Sequence, residues 1–136
     1  MRIYFGSVTC TTALAGCQTL NSAAVLSGFQ NIDEVATMAA VGLSEQSGVS
    51  TALYIGAYRT PSCIGSKITT TCTIYNSFYW TDKYTNGTAG FTWTPGQPDN
   101  NEGTQNCVTL STSLGTMDDE WSDWEEQGAV CGMLAL

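Results

Sequence analysis

The chain has 136 residues, 43% apolar and 12% charged, with a formal net charge of −8 and a sequence pI near 4.1. Such a length and apolar content describe one folded domain over residues 1–136 with a real core, not a disordered tail. The acidity excludes nucleic acid, whose phosphates nothing here would neutralise, and argues equally against an anionic membrane surface.

In chain order, Ile3-Tyr4-Phe5 reads as a short strand closed by Gly6. Thr9 is a candidate N-cap for a helix running to Leu20, with Ala13, Leu14 and Cys17 at helical spacing. Asn31 or Asp33 can cap a second helix from Ile32 to about Leu43, whose apolar face is Val35, Met38, Ala39 and Gly42. Gly48 marks its exit. Ala52–Tyr58 is the strongest strand, rich in aromatic and β-branched residues. Cys63–Cys72 holds Gly65 and four Thr or Ser side chains, the composition of a loop stapled on itself. Phe78–Thr81 resumes strand character. Asn86–Gly103 is a Gly-, Thr-, Asn- and Pro-rich loop, and a loop that long in a compact domain is usually functional. Val108–Leu110 and Ala129–Met133 read as two final core strands.

Six cysteines in a chain this short point to an oxidising compartment and disulfides. Zinc is the weaker reading, because the chain has no histidine and no C-x-x-C pair. Sequence alone leaves about 15 complete pairings open. Asn86-Gly87-Thr88 is an N-glycosylation sequon, consistent with a secreted, extracellular protein. Residues 1–17 have the outline of a lipoprotein leader ending at Cys17, but Ser7, Thr9, Thr11 and Thr12 make its centre too polar. A secreted chain with no leader is expected to have been trimmed, or to be one domain of a longer protein. No apolar run approaches the length of about 18 residues that a membrane span needs.

The charge is unevenly placed. All four basic residues, Arg2, Arg59, Lys67 and Lys83, precede position 84, where four acids balance them; residues 84–136 hold the other eight acids and no base. Carboxylates gathered without a counter-cation repel one another unless solvent or a bound cation offsets them. In this segment Gln97-Pro98-Asp99, Gln105-Asn106 and Asp118-Asp119 supply the oxygen-bearing side chains that a hard cation such as Ca²⁺ takes from irregular backbone. Glu120, Asp123, Glu125 and Glu126 read as a solvated acidic surface, and Trp80, Trp121 and Trp124 as packing residues.

The chain resembles C-type lectin-like domains from end to end, and secreted nematode members in particular. The resemblance rests on the Cys17 helix, Leu26–Asn31, Tyr54-Ile55-Gly56-Ala57 and Phe78–Asp82, then on Gly90–Trp93, Gly96–Asp99, Gln105–Val108 and Val130-Cys131-Gly132. It implies an α+β double-loop fold with two helices, small antiparallel sheets and a long Ca²⁺-binding loop, and a binding function, not an enzyme. It implies a cis-proline at Pro98, which would turn Gln97 and Asp99 toward one point. Gln97, Asp99, Gln105, Asp118 and Asp119 are then the implied metal ligands. Gln97, Asp99, Gln105 and Asp118, with Trp93 in the long loop, are the implied carbohydrate contacts. The Gln-Pro-Asp order resembles the galactose-type version of the site. Met117 stands where the family has tryptophan, and Trp121-Ser122-Asp123 offers an alternative register; Asp119 precedes Cys131 by twelve residues and Asp123 by only eight, and the family's usual distance favours the former.

The same resemblance pairs Cys17 with Cys131 and Cys63 with Cys72, and leaves Cys107 free or paired with Cys10, because Ser122 occupies its usual partner's place. Two further departures are Gln105 in place of a glutamate and Asn100–Gly103 where galactose-type sites carry an aromatic. These departures support an alternative, a lectin-like domain that recognises a protein partner or a microbial surface without Ca²⁺-dependent sugar binding.

Overall fold

The computed structural model describes residues 1–133. Seven strands and two helices alternate along the chain: β1 (Arg2–Val8), α1 (Cys10–Leu20), β2 (Ala24–Leu26), α2 (Ile32–Glu45), β3 (Ala52–Arg59), β4 (Phe78–Trp80), β5 (Cys107–Ser111), β6 (Met117–Glu120) and β7 (Glu126–Met133). The strands form one sheet in the order β1-β7-β3-β5-β6, with β2 added to β7 and β4 to β3. All pairings are antiparallel except β3 with β7.

Both helices form where their apolar spacing places them. In α2, Val35, Met38, Ala39 and Gly42 are the buried residues, one face at intervals of three and four. Asn31 caps the helix, its Oδ1 accepting the Glu34 N–H at 3.0 Å. The helix runs two residues beyond the expected end. In α1, Ala13, Gly16 and Cys17 are buried. A Cβ at Gly16 would lie 2.7 Å from the Tyr4 ring, so the glycine lets α1 lie close on β1.

Strand β1 is longer than expected, because pairing with β7 carries it through Gly6. Strands β2 and β6 were not legible in the sequence. The first has three residues; the second is Met-Asp-Asp-Glu, a composition depleted in strands, formed because Cys107–Leu110 pair with it in register. One core gathers Phe29, Val35, Leu53, Ile55, Phe78, Val108, Leu110, Met117 and Val130 between α2 and the sheet. A second cluster packs α1 against the other side through Cys17, Tyr54, Cys107 and Cys131.

Three disulfides tie these layers: Cys17–Cys131, Cys63–Cys72 and Cys10–Cys107. The two implied bridges are present. Of the two fates left open for Cys107, it takes the bond to Cys10, joining the start of α1 to the start of β5.

Candidate functional site

The segment between β4 and β5 is the long loop, and aromatic stacking holds its first half. Trp80 and Phe91 stack with centroids 4.0 Å apart, and Phe91 and Trp93 are parallel at 5.8 Å. Trp93 also tilts against Phe78 at 5.2 Å and donates its indole N–H to the Ile74 carbonyl at 2.9 Å. Trp93 was expected to touch carbohydrate. Its ring is instead engaged by Phe91 and Phe78, and it anchors the loop to the core. A Cβ at Gly90 would collide with the Phe29 carbonyl, so the loop needs glycine to approach the body this closely. Buried Asp82 accepts the N–H groups of Gly28 at 2.8 Å and Thr85 at 3.0 Å, which fixes the loop's entry.

The second half carries the predicted site residues. The Gln97–Pro98 bond is cis, as the resemblance implied. Gln97 Oε1 accepts the Asp99 N–H at 3.2 Å. The Asn101 N–H is shared by Asp99 Oδ1 at 3.3 Å and Gln105 Oε1 at 2.9 Å. Gln97, Asp99 and Gln105 are therefore gathered around one turn. Lys67 reaches the same turn and donates to the Asp99 carbonyl at 2.9 Å.

Asn100 is the turn's inner anchor. It is buried, with φ of 46°, in the left-handed region that asparagine tolerates. Its Nδ2 donates to the Ser66 carbonyl at 2.9 Å and its Oδ1 accepts the Gln105 N–H at 2.9 Å.

Asp119 lies beneath this turn; Asp123 sits apart, in the turn after β6. Asp119 Oδ1 accepts the Asp99 N–H at 3.1 Å, and Oδ2 accepts the Asn100 N–H at 2.7 Å and the Arg59 guanidinium at 2.8 Å. The side chains of Arg59 and Asp119 are 1% and 0% exposed. Arg59 also donates to the Gln105 carbonyl at 2.6 Å and to Asn106 Oδ1 at 3.1 Å, and its guanidinium lies 4.5 Å over the Phe78 ring. Burial pulls Arg59 below its ordinary pKa, against which Asp119 pushes it back up. Burial likewise pushes Asp119 up, and the N–H groups of Asn100 and Asp99, then Arg59, oppose it.

Asp119, named above among the metal ligands, holds protein donors on both of its oxygens, one of them a full positive charge. Arg59 was absent from the predicted site. Its signal was visible as a lone cation closing an otherwise apolar strand.

Asp118, the next residue along β6, is half-buried, and its Oδ1 is buried with no hydrogen-bond partner among the described residues. Among those residues, no three His, Cys, Asp or Glu side chains gather in a group that could hold a metal. The donors gathered at the turn are one carboxylate and two amides.

No family model and no curated protein matches the chain. Solved structures do. C-type lectin CEL-I from Cucumaria echinata aligns at 19% identity over 96% of this chain and 86% of its own, with a TM-score of 0.72. The cow C-type carbohydrate-recognition domain of CD23 aligns at 21% identity over 99% and 87%, with a TM-score of 0.70. A calcium-independent type II antifreeze protein aligns at 17% identity over 96% and 83%, with a TM-score of 0.64. The likeness extends over nearly the whole chain and establishes the fold, which is α+β and C-type lectin-like.

Proposed function

We propose that this domain is a carbohydrate-binding module, not an enzyme, and that its sugar site is the turn formed by residues 97–105. The observation that carries this reading is the gathering of Gln97, Asp99 and Gln105 at one turn, where Gln97 holds the Asp99 N–H and Asp99 and Gln105 share the Asn101 N–H. Carboxylate and amide oxygens fixed at one turn are suited to accept hydrogen bonds from sugar hydroxyls, and the glutamine NH₂ groups to donate to them. The Gln-Pro-Asp order favours a galactose-type ligand. CEL-I is a C-type lectin and the CD23 domain a carbohydrate-recognition domain, which supports the same class.

The reading includes a weakly held Ca²⁺. Gln97, Asp99, Gln105 and Asp118 would hold the ion, and two of these four are anionic; water and sugar hydroxyls would complete the usual shell of about 6–8 oxygens. When bound, the ion would supply Lewis-acid attraction for adjacent hydroxyls. The chain's own residues do the remaining work. Arg59 and Asp119 fix the turn from below, Asn100 sets its curvature, and Gln97 and Asp99 hold N–H groups of the turn itself. The three disulfides support an extracellular setting.

One observation favours a second reading, recognition without Ca²⁺: Arg59 already gives Asp119 a cation, so the turn has an internal source of positive charge. A neighbour in fold is a calcium-independent protein, which is in keeping with that. A glycan array probed with and without chelator, joined to calorimetry with Ca²⁺ and galactose, tests both readings. Chelator-sensitive galactose binding that is lost in Asp99→Ala supports the first. Binding that survives chelation supports the second, and absence of any glycan binding at millimolar concentration rejects the module.

A further inference from the structure

A cleft of about 640 Å³ lies beside the turn, between Glu102 and Thr104 of the long loop on one wall and Trp121, Ser122, Asp123 and Trp124 on the other. Its volume is that of a ligand site, commonly about 300–1,000 Å³. Its chemistry is distinct from that of the Gln97–Asp99 turn. Trp124 is 53% exposed, and its ring lies 5.6 Å from that of Trp121 at 53°. Large aromatic surface left in water is costly, so an indole held there invites a ligand with an apolar face.

The backbone that carries this indole is held firmly. Fully buried Tyr54 directs its hydroxyl out of the sheet to the backbone carbonyls of Trp121, at 3.3 Å, and of Trp124. The Trp121 N–H is tied to Glu120 Oε1 at 3.1 Å, and the Trp124 N–H to the Trp121 carbonyl at 3.3 Å. The aromatic wall is thus pre-organised from the core, which lowers the ordering cost of binding.

The charge of the cleft narrows the ligand. Glu102 and Asp123 both line the cleft, and the Arg59–Asp119 pair is the one ion pair among the described residues, so neither carboxylate has a cationic partner. The Tyr54 hydroxyl, already raised by burial, is raised further by Glu120, Glu126 and Asp123, which reports the same negative field. An anionic sugar would be repelled. A neutral one could hydrogen-bond these exposed carboxylates through its hydroxyls but would leave their charge unmatched. A metal would find two carboxylates and no third. A protonated amine against an indole and a carboxylate gains both cation–π and charge-assisted hydrogen bonding.

We infer that this cleft is a second saccharide subsite that takes an amino sugar with a free, protonated amine. The C–H face of the ring stacks on Trp124, the ammonium lies between Glu102 and Asp123, and ring hydroxyls reach Thr104 and Ser122. This subsite adjoins the first sugar site, sharing the residue 97–105 turn through Glu102 and Thr104, and needs no divalent ion.

The test is calorimetric titration of the whole chain with a glucosamine trisaccharide, in chelator at about pH 6, where an amine of ordinary pKa near 8 is charged. The N-acetylated trisaccharide and a lysine-containing tripeptide are the comparison probes. The amine form should bind at least about tenfold more tightly than the N-acetyl form, a tenfold ratio being the effect of one modest charged contact. Trp124→Ala should abolish binding, Trp124→Phe should restore part of it, and Glu102→Gln should weaken it about tenfold. Both positions are exposed, so these variants should keep the wild-type unfolding curve. Equal affinity for the two sugars, unchanged binding in Trp124→Ala, tighter binding of the peptide, or no binding at millimolar concentration would each overturn the inference. Asp99→Ala separates the two sites: it should leave this titration unchanged, and loss of binding there would place the ligand in the other site.

Discussion

The guanidinium of Arg59 and the carboxylate of Asp119 meet at 2.8 Å with both side chains withdrawn from solvent. Sixty residues apart in sequence, they join the end of β3 to β6, and through the Asp99 and Asn100 N–H groups they also fix the turn above. The pair makes loop order a property of the core.

Breaking that pair should be costly. Arg59→Met leaves a buried carboxylate with only two backbone donors and is expected to cost about 3–5 kcal/mol, the usual penalty for an uncompensated buried charge. Asp119→Leu should cost a similar amount, since it strands the guanidinium. The double variant Arg59→Met/Asp119→Leu removes both charges and should be more stable than the two single losses added together. Denaturant unfolding of the four proteins measures the coupling; additive losses would mean that the two groups act separately.

The disulfides should differ in worth according to the chain each closes. Cys10–Cys107 spans 97 residues and Cys63–Cys72 spans 9. Loop-closure entropy then makes the Cys10→Ser/Cys107→Ser protein about 2 kcal/mol less stable than the Cys63→Ser/Cys72→Ser protein. Urea midpoints with their slopes check this, and a reversed order would show that strain or residual structure outweighs chain entropy.

Much of this architecture is legible in sequence where local and tertiary preferences agree. The buried face of α2 is the set of residues that helical spacing selects, and Asn31 announces the cap. Ala52–Tyr58 reads as a buried strand because its composition leaves little else. Met117–Glu120 does not, since three consecutive acids have no intrinsic reason to be a strand; register with β5 and the cation beneath Asp119 impose it. Arg59 was missed for the same reason, its partner being remote. Cys10–Cys107 could not be chosen among the many pairings until α1 and β5 were placed side by side. Gln97, Asp99 and Gln105 come together as their motif suggests, whereas Asp119 and Trp93 have structural tasks that a motif does not reveal.

Asn100 tests how far the turn depends on its inner anchor. Asn100→Ala removes the partners of the Ser66 carbonyl and the Gln105 N–H and places a Cβ residue of ordinary preference at φ of 46°. Two orphaned buried groups at about 1–3 kcal/mol each set the scale of the loss. Asn100→Gly leaves the same groups orphaned but accepts the positive φ, and should recover up to about 1 kcal/mol of it. Amide exchange at Asn101 and Gln105 should speed up in both variants while that of β3 and β7 stays slow. Unchanged exchange at those two amides would show that the turn is ordered by other means.

Stability should fall as pH rises toward neutrality, because of Glu126. Burial, and after it the charge of Glu120, pushes its carboxyl up to about 7, against an opposing hydrogen bond from Trp124. Between the ordinary carboxylate range and about 7 the folded protein therefore keeps a proton that the unfolded chain has released. The native state is favoured at the acid end of that window and loses this advantage as pH passes through it. Glu126 is only half-buried, so the effect, discounted for solvent screening, is about 1–2 kcal/mol. Glu126→Gln cannot take up the charge and should raise the melting temperature at about pH 7.5 while changing it little at about pH 5. Thermal unfolding of both proteins across that range decides the matter: a gap that does not widen with pH would mean that Glu126 ionises in the folded state as readily as in the unfolded chain.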